Sequence, residues 1–422
     1  MNKYTRIKGT QDILPDQSRY WQKIENTVRE SMQLYNYKEL RTPIFEKTEL
    51  FARSIGQDTD IVMKEMYTFL DRGKKSLTLK PEMTAPIIRA YIENNMQARS
   101  PLNKIYYIAP LFRQENPQAG RLRQFNQFGA EALGSDAPEL DAEVILLSLQ
   151  IYDRLGISNL KLLLNSVGDL RSRERYKKVL KEYIAPLLNL YCDDCHKRFK
   201  TNVLRILDCK NESCFKLNLK APKLLANLSK ECAKHFTQLQ NILKDNGVEF
   251  EVNPYLVRGL DYYTRTVFEI TSDELGSQDA ICGGGRYDLL AQQLGGQPTP
   301  AVGFASGIER LLMVMDAQGL FKEEEERLDI FISPLGEEAS FLAIKWVQRL
   351  RTLGYKTERD YLNRSLKAQM REANRLNAQL VFLLGDNEIK KREFTVKEMD
   401  AGIQRALSFS EVESYLKNYF RP

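Results

Sequence analysis

Phe112-Arg113-Gln114-Glu115-Asn116-Pro117-Gln118-Ala119-Gly120-Arg121-Leu122-Arg123-Gln124-Phe125 has a loop in its middle and strand character at both ends. Pro117 and Gly120 mark the loop. Residues 105–115 and 121–133 alternate in character as strand residues do. We read a long antiparallel hairpin, although Pro110 has no N–H to give a central strand. Side chains alternate across a strand, so Arg113 and Glu115 share a face. On the returning strand Arg121, Arg123, Phe125, Gln127, Gly129 and Glu131 do the same. Arginine forks match phosphate oxygens, and a phenylalanine can stack on a purine. Glutamine and glutamate can hold an ammonium group. The set suits ATP beside an amino acid. The alternative is a solvated sheet face with incidental ion pairs, and these residues alone do not separate the two.

Three further stretches carry unusual chemistry. Residues 256–271 read as a strand rich in polar and aromatic side chains, with Tyr263 and Arg265 on one face and Tyr262 on the other. Gly283-Gly284-Gly285-Arg286-Tyr287-Asp288 reads as a glycine turn that lets backbone approach a ligand. Residues 300–316 read as a glycine-containing helix, with Gly303 and Gly307 one turn apart and Arg310 placed to hold a terminal phosphate. The chain has no G-x-x-x-x-G-K-[ST] loop and no G-x-G-x-x-G after a strand. Any ATP site is therefore not of the common parallel-sheet kinds.

Bulk properties narrow the class. A length of 422 residues suggests two or three domains. With 28% charged and 43% hydrophobic residues the mix is that of a water-soluble globular chain. No apolar run is long enough for a bilayer. Residues 1–8 are polar and unlike a secretory leader, so a cytoplasmic location is expected. The net charge of +6 is compatible with a polyanionic partner. His196 and His235 are the only histidines and lie outside the motif-rich stretches, which argues against histidine acid–base chemistry.

Apolar spacing places a helix from about Asp16, with Trp21, Ile24, Val28, Met32 and Tyr35 on one side. A second helix is expected from Asp136 to Gly156, opened by a capping box with Glu139. Residues 171–252 are lysine-rich and mostly helical, and read as an insertion. They hold every cysteine except Cys282. Cys192-x2-Cys195 and Cys209-x4-Cys214 resemble a zinc ribbon. The other reading, a core of reduced thiols, is preferred. A zinc ion there would be structural. Four glutamates at 323–326 suggest a linker over 323–327. In 328–422, strands at 328–333, 355–358 and 380–384 alternate with helices, giving a small α/β domain with a partly parallel sheet.

The motifs together resemble one family. Leu40-Arg41-Thr42-Pro43-Ile44-Phe45-Glu46, the 112–125 hairpin and Gly303 with its following residues to Arg310 are similar to motifs 1, 2 and 3 of class II aminoacyl-tRNA synthetases. Lys8-Gly9-Thr10-Gln11-Asp12-Ile13-Leu14-Pro15, Arg258-Gly259-Leu260-Asp261-Tyr262-Tyr263 and Gly284-Gly285-Arg286-Tyr287-Asp288 resemble signatures of the histidyl-tRNA synthetases, bacterial type. The resemblance spans essentially the whole chain. It implies an α+β catalytic domain at 1–322, with an antiparallel sheet flanked by helices and interrupted by the helical 171–252 insertion. It implies a C-terminal α/β anticodon-binding domain at 328–422. It further implies ligation of L-histidine to tRNA(His) through histidyl-adenylate, with ATP as substrate, Mg2+, no organic cofactor, and a homodimer with no membrane role. Glu82, Thr84, Gln127, Glu131, Tyr262 and Tyr263 would hold histidine. Arg113, Glu115, Arg121, Phe125 and Arg310 would bind ATP, and Arg113 and Arg258 would stabilise the reacting phosphate. Lys356, Arg364, Lys367, Arg371 and Arg375 are candidate tRNA contacts. The rival reading is a non-catalytic regulatory paralogue of ATP phosphoribosyltransferase, which shares the catalytic fold and lacks the last domain.

Overall fold

The computed structural model describes residues 4–55, 61–118, 120–207, 209, 211–260, 262–276, 279–321 and 327–420. The chain divides into two units, Met1–Phe321 and Lys322–Pro422. The glutamate run expected to act as a linker lies outside the described residues.

An eight-stranded sheet organises the first unit. Its order is Lys38–Glu39, Asn103–Phe112, Gln124–Leu133, Ala301–Gly307, Ala280–Arg286, Thr264–Ser272, Leu160–Ser166, Glu251–Val252. The two-residue edge strands join in parallel, and every other pairing is antiparallel. The expected hairpin is present, in register from Asn103 opposite Leu133 to Phe112 opposite Gln124. Pro110 fits because of where its nitrogen points. The Phe112 N–H turns away from the hairpin and donates to the Lys80 carbonyl at 3.0 Å. Residues two apart share that direction, so no bond to the partner strand is lost at Pro110.

The two faces of the sheet do different work. Phe128, Ala130, Ala132, Val302, Phe304 and Phe268 face a large core covered by helices. Trp21, Ile24, Val28 and Met32 of the helix Pro15–Leu34 enter it at the spacing read from the sequence. Tyr35 falls at that helix's C-cap and is half-buried. Pro138–Arg154 contributes Val144, Leu147 and Ile151. The other face carries Met83, Ile87, Tyr107, Leu111, Tyr262 and Tyr287, and the odd-numbered residues of Gln124–Leu133 lie on this side.

Several local expectations are corrected. Residues 301–307 form a strand, and the helix begins only at Ile308. The glycines at 283–285 lie inside a strand, not in a turn. The strand expected from 256 begins at Thr264. The second helix starts at Pro138, whose fixed φ suits a first helical position. Its N-cap is Ala137 with no side-chain cap, and the Asp136 carboxylate turns to Arg265 at 3.4 Å.

The 171–252 region has two parts. Leu170–Ile184, Asp193–Thr201 and Glu212–Asn218 surround a small core of their own that includes Tyr176, Leu180, Ile206 and Leu224. Lys230–Asp245 instead sends Phe236, Leu239 and Leu243 into the main core. In the second unit Thr357–Arg359, Leu328–Pro334 and Ala378–Leu384 are parallel, and Glu393–Glu398 and Gln404–Ser408 extend the sheet antiparallel.

Arg286 pins the sheet to a helix. It is fully buried and donates to Asp141 Oδ1 at 2.7 Å, Asp288 Oδ1 at 2.7 Å and the Ser135 carbonyl at 2.8 Å. Removing one member of such a pair leaves a buried charge unpaired, at a cost of roughly 3–5 kcal/mol. Arg286→Met should lower the urea midpoint of the first unit accordingly. A loss below about 1 kcal/mol would contradict this placement.

Candidate active site

The odd-numbered face of Gln124–Leu133 holds a carboxyl group almost out of reach of water. Glu131 is 2% exposed. It fits because Gly303 lies directly opposite on the neighbouring strand, where a Cβ would come within 1.7 Å of Glu131 Oε2. Thr84 Oγ1 donates to Glu131 Oε1 at 2.8 Å, and the Tyr287 hydroxyl donates to Oε2. Burial pushes the Glu131 carboxyl up to about 8, although the hydroxyl bonds from Tyr287 and Thr84 pull against it.

Glu82 lies beside this group, also buried. It accepts from the main-chain N–H of Thr84 at 2.7 Å and of Ala85 at 3.0 Å, and so caps the helix Thr84–Glu93. Burial raises its pKa, while those two donors and the Arg113 charge restrain the rise. Tyr262 packs its ring 4.8 Å from Tyr263 and 5.6 Å from Tyr287. The expected split of Tyr262 and Tyr263 to opposite faces does not occur, because the chain there is not yet a strand. Gln127 is half-buried and lies opposite Gly307, at the other end of the same strand pairing.

The cationic part gathers around the hairpin loop. Arg113 Nε donates to the Pro81 carbonyl at 2.9 Å, and its guanidinium lies 5.2 Å from the centre of the Phe125 ring. Glu115 stands between two arginines, 3.7 Å from Arg113 Nη1 and 3.3 Å from Arg121 Nη1. Arg310 donates to the carbonyls of Gly120 at 3.2 Å and Ala280 at 2.6 Å, tying loop to helix. Burial lowers its pKa, and the like charge of Arg121 adds to this. Glu309 fixes the same junction by accepting from the Asn126 N–H at 2.8 Å.

Arg258 is paired with Glu269 on the strand Thr264–Ser272. Burial is the largest influence and opposes its charge, but Glu269, Tyr263 and Cys282 together outweigh it and its pKa is raised. The glycine run explains its position. A Cβ at Gly283 would lie 2.0 Å from Arg258 Nη2. Gly283 therefore makes room for an arginine within the protein, while Gly284 and Gly285 face Phe268 and the Thr266 carbonyl.

Every residue expected in the site is thus placed on or beside one sheet face. Tyr287 and Glu269 were not singled out as site residues, although both lie in stretches quoted above. The two histidines are elsewhere: His196 Nε2 is 2.6 Å from the Leu188 carbonyl, and His235 Nε2 is 3.6 Å from Asp141. The sulfurs of Cys192, Cys195, Cys209 and Cys214 all lie within 4.8 Å of one another.

Glu131 also makes stability depend on pH. An ordinary unfolded glutamate titrates near about 4.3, whereas folded Glu131 holds its proton to about 8. Its contribution is complete below the lower value and is lost as pH rises through the upper one. Glu131→Gln should flatten the urea midpoint between pH 5 and 9 and stabilise the protein above pH 8, on the order of 3 kcal/mol. Parallel pH profiles for parent and variant would contradict the buried, neutral carboxyl.

The geometry has counterparts among known proteins. A family model described as histidyl-tRNA synthetase matches residues 9–311, and one described as anticodon binding domain matches 329–419. The histidine–tRNA ligase of Thermoanaerobacter pseudethanolicus is 47% identical over 411 residues, which are 97% of this chain and 98% of that protein. That of Staphylococcus carnosus is 46% identical over 416 residues, 97% of each. The crystal structure of apo S. aureus histidyl-tRNA synthetase aligns with a TM-score of 0.83 at 40% identity, covering 99% of this chain and 100% of that one. Among the described residues no helix is long and apolar enough to cross a membrane. The fold is that of the class II synthetases, with a separate C-terminal unit, and full-length agreement with ligases does not favour a regulatory paralogue. On this evidence the chain belongs to the histidyl-tRNA synthetase family.

Proposed function

We propose that this chain attaches L-histidine to tRNA(His), with the Glu131 pocket taking the amino acid and the Arg113–Arg310 surface taking ATP. The observation that carries the reading is Glu131 itself. It is a buried carboxyl held by Thr84 and Tyr287, on the same sheet face as the arginines. A pocket built to hydrogen-bond both imidazole nitrogens leaves its own polar groups unpaired with any impostor. Glu82, Thr84 and Gln127 hold the α-amino end, and Tyr262 and Tyr263 form the wall.

The chemistry needs no side-chain nucleophile. The histidine carboxylate attacks the α-phosphorus of ATP, and pyrophosphate leaves. The ribose 3′-hydroxyl of the terminal tRNA adenosine then attacks the adenylate carbonyl and releases AMP. Arg113 and Arg258 spread the charge that develops at the α-phosphate, and their anchors at Pro81 and Glu269 fix them beforehand. Phe125 stacks on adenine, and Glu115, Arg121 and Arg310 hold the remainder of the nucleotide. Among the described residues, the only group of metal-ligand type close enough to hold an ion is the cysteine set. Glu115 and Glu269 are paired with arginines. Magnesium would accompany ATP as part of the substrate, with Glu115 and Glu269 the carboxylates of this surface, and would neutralise phosphate charge.

The second unit, 328–422 in this reading, recognises the anticodon. Lys367, Arg371, Arg375 and Lys397 line a shallow, open depression together with Met370, Asn374 and Met399. Cations along apolar surface suit phosphates beside unstacked bases. Arg364 and Arg375 are engaged with Glu372 at 3.4 and 2.6 Å, so Lys367 and Arg371 are the better contacts. The catalytic part would be 1–322 with its 171–252 insertion, working in the cytoplasm as a homodimer. Exposed Ile44, Phe45, Phe69 and Leu70 beside motif 1 support the dimer.

Two variants separate the parts. Glu131→Gln should reduce kcat/KM for histidine-dependent ATP–pyrophosphate exchange by ~10²–10⁴, and unchanged exchange would remove Glu131 from recognition. Replacing Lys367 and Arg371 by alanine should raise KM for tRNA in charging and leave exchange unchanged. Equal loss in both assays would place those residues in folding instead.

A further inference from the structure

The helical insertion brings four thiols to one point. Cys192 is the N-cap of the helix Asp193–Thr201, and Cys195 lies in its first turn. Cys209 follows the short helical segment Val203–Ile206, and Cys214 belongs to Glu212–Asn218. The four sulfur atoms lie within 4.8 Å of one another, and three of the residues are buried. Cys192 Sγ and Cys209 Sγ are 3.7 Å apart. Tetrahedral zinc thiolates have Zn–S bonds of about 2.3 Å, which sets neighbouring sulfurs at about 3.8 Å. The observed pair already has that spacing, and the rest need only small side-chain movements. The Cys192 N–H also donates to Cys214 Sγ at 3.3 Å, so main chain and thiol are already in contact at the same point.

We infer that Cys192, Cys195, Cys209 and Cys214 bind one Zn2+ that staples the insertion. Four thiols release four protons, four Zn–S bonds form, and nothing is oxidised or reduced. With all four positions taken by protein, no place remains for water or substrate, so the ion is structural. The local packing shows why a staple is useful. The core around Tyr176, Leu180, Ile184, Val203, Ile206 and Leu224 is small. A segment below about 60 residues buries too little apolar surface for independent stability and commonly relies on a metal or cross-link. Cys282 and Cys232 are not ligands. The first lies in a strand of the main sheet, and the second in the helix Lys230–Asp245.

The test uses the full chain, expressed with zinc and purified under reducing conditions. Elemental mass spectrometry should find about one zinc per chain. The Cys209→Ser/Cys214→Ser double variant should lose it and show faster amide exchange between residues 170 and 228, with histidine-dependent pyrophosphate exchange retained. Co2+ in place of zinc should give the intense visible bands of a tetrahedral thiolate site. Folded parent protein that stays below about 0.1 zinc per chain after incubation with Zn2+ would overturn the inference. Iron in its place, a double variant that keeps its zinc, or weak octahedral cobalt bands would do so as well.

Discussion

A carboxyl group in the middle of a sheet is costly unless donors reach it, and the first unit is arranged around meeting that cost for Glu131. Thr84 comes from a helix N-terminus, and Tyr287 from the end of a strand two places away in the sheet. Gly303 supplies the space. Losing either hydroxyl, or adding a side chain at Gly303, would remove a donor or the space that Glu131 occupies. The same logic repeats at Arg258, which fits because Gly283 has no side chain and whose charge is balanced by Glu269 beside it. Arg286 repeats it a third time against Asp141 and Asp288. Each of these polar groups ties two elements together, and Glu131 and Arg258 do so on the site face itself.

This preorganisation bears directly on the chemistry. Amino-acid activation needs charge stabilisation at phosphorus and a pocket that rejects close analogues, not an acid–base pair. The arginines are anchored through carbonyls and carboxylates that hold their position while leaving donors for phosphate. The pocket proposed for the amino acid is lined by buried polar groups and tyrosines, so in that reading a wrong side chain would strand its hydrogen-bonding groups.

The parts of the structure governed by local periodicity were legible in the sequence. The 103–133 hairpin, the first helix and the parallel core of the second unit all follow from spacing within one segment. The parts governed by neighbours were not. Residues 301–307 look helical because two glycines stand four apart, yet Gly303 answers to Glu131 and the Ala130 carbonyl across the sheet. The glycines at 283–285 look like a turn because nothing local reveals Arg258 against Gly283 or the neighbours that crowd Gly284 and Gly285. Tyr262 and Tyr263 were assigned opposite faces by an alternation that begins only at Thr264. The site's chemistry was readable from residue types in the hairpin. The partners of those residues came from distant segments, and family resemblance, more than pattern, drew in Glu82 and Thr84.

The central claim is that one buried polar pocket selects one amino acid for activation. Its most direct test is ATP–pyrophosphate exchange by the purified chain with magnesium, offering each of the twenty amino acids separately. The account predicts exchange with histidine alone. Exchange driven by a different amino acid, or none with any in a folded sample, would contradict it.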